Sequence, residues 1–228
     1  MAGFDRDAFH QFIQDNGVYG FFDKPITLKS GRQSHFYANW RTVVEDVWLT
    51  ERLVRFVIDF VETNRIEVDT FYGVPEGATK IGVLTQFHWA KKQSNYSRGS
   101  HALAMGRAKP KEHGAPRDRF FVGTPRGKVV MLEDATTTGG SSLVAIKALQ
   151  DAGIDVAALI SLTNRMEKRD DGSSVEDAVN QLGVKFYSMS SAIDLLPRIY
   201  AEAKPSDDVG RALEAEFEAY GLAPLKLL

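Results

Sequence analysis

The chain lacks several features that would assign it to particular classes of protein. Its 228 residues include no cysteine, which excludes disulfides, thiolate metal sites and a cysteine nucleophile. No apolar run is long enough to span a bilayer, and the charged N-terminal segment MAGFDRDAFHQF has no apolar core of a signal peptide. These absences predict a cytoplasmic protein with no membrane partner.

The chain also lacks a broad excess of basic residues. Its formal net charge is −2, but the charge is uneven. The segment 107–128 carries seven Lys and Arg residues against two acidic residues, a net charge of +5, so the rest of the chain sums to −7. A general nucleic-acid-binding protein would be basic overall or over a broad face. We therefore expect a local anionic ligand and no nucleic-acid partner.

No internal repeat, low-complexity tract or proline-rich linker divides the chain, so we expect one domain over residues 1–228. Apolar strand patterns alternate with amphipathic helix patterns, which predicts an α/β fold with a mostly parallel central sheet flanked by helices. The predicted strands are 69–74, 101–106, 118–123, 129–132, 155–163 and 184–189, after an extended segment at 26–40 with a turn at Ser30-Gly31. The predicted helices are 5–15, 50–63, a helix ending near Lys91, 140–152, one capped by Ser190 or Ser191, and 206–220.

The stretch VVMLEDATTTGGSS, residues 129–142, carries the clearest chemical signal. A buried strand ends in Glu133 and Asp134, and a run of hydroxyls and glycines then leads into a helix. Unpaired N–H groups at a helix N-terminus, with glycines that allow close approach, form a cradle for a phosphate. Carboxylates are good acceptors for the vicinal hydroxyls of a sugar. A ribose 5-phosphate satisfies both halves of this stretch.

This stretch is neither a Walker motif nor a dinucleotide-binding turn. It resembles the phosphoribosyl-pyrophosphate (PRPP) signature of the type I phosphoribosyltransferases. Four further stretches occur in the order typical of the orotate phosphoribosyltransferase family: TLKSGRQSHFYAN (27–39), GVPEGATKIG (73–82), RAKPKEHG (107–114) and LTNRMEKR (162–169). The resemblance implies a type I phosphoribosyltransferase fold, with an N-terminal hood over about 1–45 and a core over about 46–228.

The resemblance also implies a role for each matching residue. Glu133 and Asp134 would hold the ribose hydroxyls, and the 5-phosphate would lie against Thr136, Thr137, Thr138, Gly139, Gly140 and Ser141. Orotate would be contacted by Lys29, by the backbone beside Tyr37, and by Arg165, whose forked guanidinium suits a planar carboxylate. The pyrophosphate and its developing charge would be met by Lys80, Arg107, Lys109, Lys111 and His113. Of these residues, Arg107, Lys111, His113 and Asp134 are the expected catalytic group.

The implied reaction joins orotate to PRPP, in pyrimidine biosynthesis, through a transition state that resembles an oxocarbenium ion. The expected cofactor is Mg²⁺, held through PRPP rather than directly by protein ligands. A homodimer is implied by the resemblance alone. Three departures affect individual contacts: Ala108 follows Arg107 where a lysine is commoner, Thr79 precedes Lys80 where tyrosine is commoner, and Tyr37-Ala38 replaces two phenylalanines.

Two alternatives stay open at this point. One is a type I phosphoribosyltransferase for another base, such as a purine, although TLKSGR and Arg165 favour orotate. The other is a regulator that senses PRPP and binds RNA or DNA without turnover. The overall charge of −2 and the lysines and histidine of segment 107–114 favour an enzyme.

Overall fold

The computed structural model describes residues 3–107, 109, 111–113 and 120–228. In chain order the elements are α1 (Arg6–Asp15), β1 (Tyr19–Thr27), β2 (Gln33–Ala38), α2 (Arg41–Val44), α3 (Val47–Thr63), β3 (Thr70–Gly73), α4 (Thr79–Lys92), β4 (Met105–Gly106), β5 (Phe121–Val122), β6 (Val129–Thr136), α5 (Gly140–Asp151), β7 (Val156–Asn164), α6 (Val175–Asn180), β8 (Lys185–Ser188), α7 (Ala192–Ala203) and α8 (Asp207–Tyr220). Four strands form a parallel sheet in the order β3-β6-β7-β8. This architecture confirms the predicted α/β fold.

The central strand β6 is apolar because it is covered on both faces. Val129, Val130, Met131 and Leu132 are fully buried, as expected for an interior parallel strand. The prediction that this strand ends at Leu132 was wrong. Its ladder with β7 continues through Glu133 opposite Ser161 to Thr136 opposite Asn164. The two acids therefore lie on the rigid end of a sheet strand, not in a loop.

The N-terminal hairpin forms a separate sheet. Strands β1 and β2 are antiparallel, and they are joined by the hood turn, Leu28–Arg32, in which Leu28 and Arg32 share a backbone hydrogen bond of 2.8 Å. Gly31 has a φ of +85° in this turn, a conformation that favours glycine. The rings of Phe36 and Phe217 stack with their centroids 6.2 Å apart, so the hairpin packs against α8. This confirms the extended segment and turn predicted for 26–40.

Several helices begin at side-chain caps that the sequence supplies. Asp5, Asp46, Ser191 and Ser206 each accept a hydrogen bond from a backbone N–H in the first turn of α1, α3, α7 and α8. The helix predicted at 50–63 begins three residues earlier, at Val47, because Asp46 caps it. The short helices α2 and α6 were not predicted. In the part of the chain that the structure describes, no helix has the length and apolarity to cross a membrane.

The strands predicted at 101–106 and 118–123 are much shorter among the described residues. There, Met105–Gly106 and Phe121–Val122 pair as a two-residue antiparallel ladder separate from the main sheet. Residues 118 and 119 lie outside the described residues. At residue 102 the backbone carbonyl accepts a hydrogen bond from the side chain of Gln86 at 2.7 Å, so this segment is bound to α4 and not to a strand.

Candidate active site

A cavity of about 350 Å³ lies between the hood turn and the carboxyl ends of β6 and β7. Its position agrees with the rule that ligands bind at the carboxyl ends of parallel strands. The residues that line it come from the hood hairpin and α2 (Leu28, Lys29, Ser30, Tyr37, Ala38, Arg41), from the β3–α4 turn (Pro75, Glu76, Gly77), from residues 133–142, and from Arg165. These twenty residues come from four separate stretches of the chain, which the fold brings together around one cavity.

The phosphate loop, Thr136–Ser141, forms one end of this cavity. Gly139 has a φ of +72° and directly precedes α5, so the chain turns sharply and the first N–H groups of the helix are left without partners inside the helix. A Cβ on Gly139 would lie 2.9 Å from Cγ1 of Val175, which is a second reason for glycine here. The loop has the backbone geometry of an anion cradle beside three threonine hydroxyls.

The two acids lie next to this loop in different environments. Glu133 is only 6% exposed, and its Oε2 accepts a hydrogen bond of 2.6 Å from Oγ of Ser142. Burial, followed by the nearby charge of Asp134, raises the pKa of Glu133 to about 8. Asp134 is half-buried, and its Oδ1 accepts the N–H of Ala135 at 2.9 Å. A carboxyl group that keeps its proton, as this shift favours for Glu133, can donate a hydrogen bond to a sugar hydroxyl as well as accept one.

Lys29 and Arg165 occupy different places at the hood end of the cavity. Nζ of Lys29 donates a hydrogen bond of 2.8 Å to Oγ of Ser141, so the hood turn reaches the phosphate loop. Arg165 is only 2% exposed. Its guanidinium donates to Glu167 at 2.7 Å, to the carbonyl of Phe36 at 3.1 Å, and to Ser34 and Glu216 at 2.9 and 3.2 Å. Arg165 therefore forms a fixed part of the cavity wall.

Five of the predicted site residues do not line this cavity. Nζ of Lys80 donates to the carbonyl of Val44 at 3.1 Å. The other four, Arg107, Lys109, Lys111 and His113, belong to the segment between β4 and β5, where the N–H of Arg107 is bonded to the carbonyl of Phe120 at 2.9 Å. Ala108, Pro110 and Gly114 of the RAKPKEHG stretch lie outside the described residues. The roles of these five residues stay predictions.

The structure adds cavity residues that the sequence analysis did not single out. A Cβ on Gly77 would lie 2.3 Å from Oδ2 of Asp134, so only glycine fits between the β3–α4 turn and that carboxylate. Ser142 binds Glu133, and Arg41 and Glu76 line the wall. Gly77 and Ser142 both lie inside stretches quoted above, but their importance depends on contacts between distant parts of the chain.

Comparisons with known proteins agree with this geometry. No protein-family model matches the chain. An orotate phosphoribosyltransferase from Bradyrhizobium diazoefficiens is 31% identical over 180 residues, which are 75% of this chain and 87% of that protein. The crystal structure of the Francisella tularensis orotate phosphoribosyltransferase superposes with a TM-score of 0.68 at 18% identity, over 94% of this chain and 99% of that one. An orotate phosphoribosyltransferase from Mycobacterium tuberculosis H37Rv, solved in complex with PRPP, gives a TM-score of 0.55 at 19% identity, over 83% of this chain and 98% of that one. The cavity, the fold and the 31% identical relative together place this chain in the orotate phosphoribosyltransferase family, a family of pentosyltransferases.

Proposed function

We propose that the cavity transfers the phosphoribosyl group of PRPP to orotate, giving orotidine 5′-monophosphate and pyrophosphate. One observation carries this proposal: the phosphate loop, the paired acids and the hood residues Lys29 and Tyr37 line one cavity of about 350 Å³. These three groups of residues match, in order, the phosphate, the ribose and the planar acidic base of the two substrates.

The phosphate and ribose of PRPP are assigned to the rigid end of β6. The 5-phosphate is bound by the N–H groups and hydroxyls of the phosphate loop. The ribose hydroxyls lie against Glu133 and Asp134. Because both acids belong to a strand that is paired with β7 as far as Thr136, the ribose is held without rearrangement of the backbone.

The base is assigned to the hood end of the cavity. Lys29 and the backbone beside Tyr37 contact orotate, and Arg165 faces its carboxylate. Glu167 and Glu216 hold the guanidinium of Arg165 in one orientation, at 2.7 and 3.2 Å, so the carboxylate of orotate would meet a cation whose position is fixed in advance. Nζ of Lys29 is bonded to Oγ of Ser141 at 2.8 Å, so the lysine assigned to the base also lies beside the phosphate loop.

The pyrophosphate leaving group is assigned to Lys80 and to the segment between β4 and β5. Lys109, Lys111 and His113 are exposed, and the whole segment 107–128 has a net charge of +5. Closure of this segment over the cavity would bring Arg107, Lys109 and Lys111 to the departing charge and exclude water from the sugar. His113 is the candidate for proton movement.

The donors in the cavity fit a magnesium ion carried by the substrate. Mg²⁺ prefers oxygen ligands and is commonly bound through one or two carboxylates together with substrate phosphates, and Glu133 and Asp134 supply carboxyl oxygens beside the ribose position. Among the described residues, no cluster of three or more His, Asp or Glu side chains is arranged to hold a metal. When bound, Mg²⁺ supplies charge neutralisation to the diphosphate.

Homodimerisation, cytoplasmic location and the division into hood and core are also part of this proposal. Large apolar side chains are exposed on α4 and around the β4–β5 ladder, at Phe87, Leu103, Met105 and Val122, which supports an interface between two copies. The absence of cysteine fits a reducing compartment. The hood is assigned to about 1–45 because its hairpin forms its own sheet.

The decisive experiment follows the loss of orotate absorbance when the protein is mixed with orotate, PRPP and magnesium. We expect loss only when all three are present. Asp134→Asn should lower the rate at least about tenfold because it removes a charge at the ribose, whereas Asp151→Asn, an exposed acid at the end of α5, should leave it unchanged. PRPP binding without loss of orotate would contradict the orotate assignment, and purine bases would then be tested in the same assay.

A further inference from the structure

Arg169 lies behind the phosphate loop and outside the cavity. Its Nη1 donates a hydrogen bond to the carbonyl of Thr138, but Arg169 does not belong to the cavity lining. Its side chain is 22% exposed, and Nε is buried without a hydrogen-bond partner among the described residues, 3.7 Å from Oδ2 of Asp171. The guanidinium therefore contacts the phosphate loop through Nη1 and lies beside the carboxylate of Asp171 through Nε.

The backbone that carries Arg169 is itself tightly held. The N–H of Arg169 is bonded to the carbonyl of Ser173 at 2.8 Å, and its carbonyl accepts the N–H of Gly172 at 3.0 Å. The next residue, Asp170, accepts a hydrogen bond of 3.0 Å from Arg32 of the hood turn. Arg169 therefore belongs to a turn that is held by its own backbone hydrogen bonds and by the contact between Asp170 and Arg32. This restricts the positions that its guanidinium can take.

The bond to Thr138 has a consequence for the cradle. A trans peptide is planar, so the C=O of Thr138 and the N–H of Gly139 point in opposite directions. The C=O of Thr138 points to Arg169, which does not line the cavity, so the N–H of Gly139 points the opposite way, to the side where the cavity lies. Gly139 has a φ of +72°, and such a residue can rotate its peptide at little cost. An external contact is therefore needed to keep this donor aimed at a phosphate.

We infer that Arg169 is a positioning residue for the 5-phosphate: by binding the carbonyl of Thr138 it orients the N–H of Gly139 into the cradle. This inference rests on the proposed assignment of the phosphate loop to the 5-phosphate of PRPP. It assigns to Arg169 no contact with orotate or pyrophosphate. Its effect is on the affinity for the phosphoribosyl group.

The test measures binding of ribose 5-phosphate and of pyrophosphate by calorimetry. Arg169→Ala should weaken ribose 5-phosphate binding about tenfold, the size expected when one hydrogen bond to a charged group is lost, and should leave pyrophosphate affinity unchanged. In steady-state kinetics the KM for PRPP should rise by a similar factor with kcat nearly unchanged. Arg169→Lys, which keeps a donor on a long side chain, should recover part of the affinity.

The matched control is Lys168→Ala, which removes the same charge from the neighbouring exposed residue. An equal loss of ribose 5-phosphate affinity in Lys168→Ala would overturn the inference, because net charge alone would then explain it. Unchanged affinity in Arg169→Ala would also overturn it. If Arg169→Ala does not fold, the comparison of Arg169→Lys with the wild type decides. Failure of the wild type to bind ribose 5-phosphate would instead refute the proposed phosphate site itself.

Discussion

Replacement of Glu133 by glutamine tests the electrostatics of the paired acids. Burial and the charge of Asp134 raise the pKa of Glu133 from 4.5 to about 8. The native state therefore holds a proton that the unfolded chain releases at a lower pH. Between pH 4.5 and about 8 the native state binds more protons than the unfolded state, so the free energy of unfolding falls as the pH rises through this window.

The size of this effect follows from the two pKa values. A shift from 4.5 to about 8 corresponds to about 5 kcal/mol over the full window, because each tenfold change in proton affinity is worth about 1.4 kcal/mol. Between pH 6 and pH 9 the same two values give a loss of about 3 kcal/mol in the wild type. Glutamine has nearly the shape of the protonated acid and keeps an acceptor for Ser142, but it does not titrate. Glu133→Gln should abolish this part of the pH dependence.

Urea denaturation at pH 6, 7, 8 and 9 measures the free energy of unfolding of both proteins. The difference between Glu133→Gln and the wild type should grow by about 3 kcal/mol from pH 6 to pH 9, in favour of the variant. In Asp134→Asn the free energy of unfolding should fall less steeply with pH than in the wild type, because this variant lacks the second cause of the raised pKa of Glu133. Glu202→Gln, an exposed acid on α7, is the control. Parallel stability profiles for Glu133→Gln and the wild type would refute the reasoning.

Three further predictions concern the cavity, the basic segment and the core. Gly77→Ala places a Cβ 2.3 Å from Oδ2 of Asp134, so the KM for PRPP should rise at least about tenfold in the steady-state assay. Gly20→Ala is the control, because its Cβ would meet only ordinary contacts of 3.5 Å, and it should leave this KM unchanged. Lys111→Ala should lower kcat by about tenfold to a hundredfold if this residue meets the leaving group, and unchanged kcat would remove it from the catalytic group. Trp40→Phe loses the hydrogen bond of 3.0 Å to Thr163 in the buried core, and urea denaturation should show a loss of about 1–3 kcal/mol.

The parts of the fold that depend on local pattern were predictable from the sequence. The apolar run Val129–Leu132 and the glycines and hydroxyls that follow it identify a central strand, a turn and a helix start, and the structure has each of them. The end of β6 was predicted too early, because two adjacent acids normally indicate the end of a strand. In the structure the pairing with β7 continues past both acids to Thr136. The helix α6, which was not predicted, does carry a local signal, because Ser174 and Asp177 form a capping box at its start.

The contacts that complete the cavity were not predictable in the same way. Lys29 and Ser141 are 112 residues apart in the chain, and Arg165 and Phe36 are 129 residues apart. A single sequence gives the type of each residue, but it does not show that the hood turn bends back onto the phosphate loop. Similarly, the strand pattern at 101–106 was overridden by the side chain of Gln86, which binds the carbonyl of Ala102.

The burial of Arg165 between the two ends of the chain has a consequence for synthesis. Its guanidinium is held by Ser34 and Phe36 from the N-terminal hairpin and by Glu216 from the last helix. Residue 36 is synthesised long before residue 216. The hydrogen bonds of Arg165 that link the hairpin to α8 therefore cannot all form until Glu216 has been synthesised. Loop closure over such separations carries an entropic cost, and a larger share of long-range contacts is associated with slower folding. A nascent chain that ends before α8 would therefore contain Glu133 and Asp134 of β6, but it would lack Glu216, which helps to fix Arg165 in the part of the cavity wall assigned to the base.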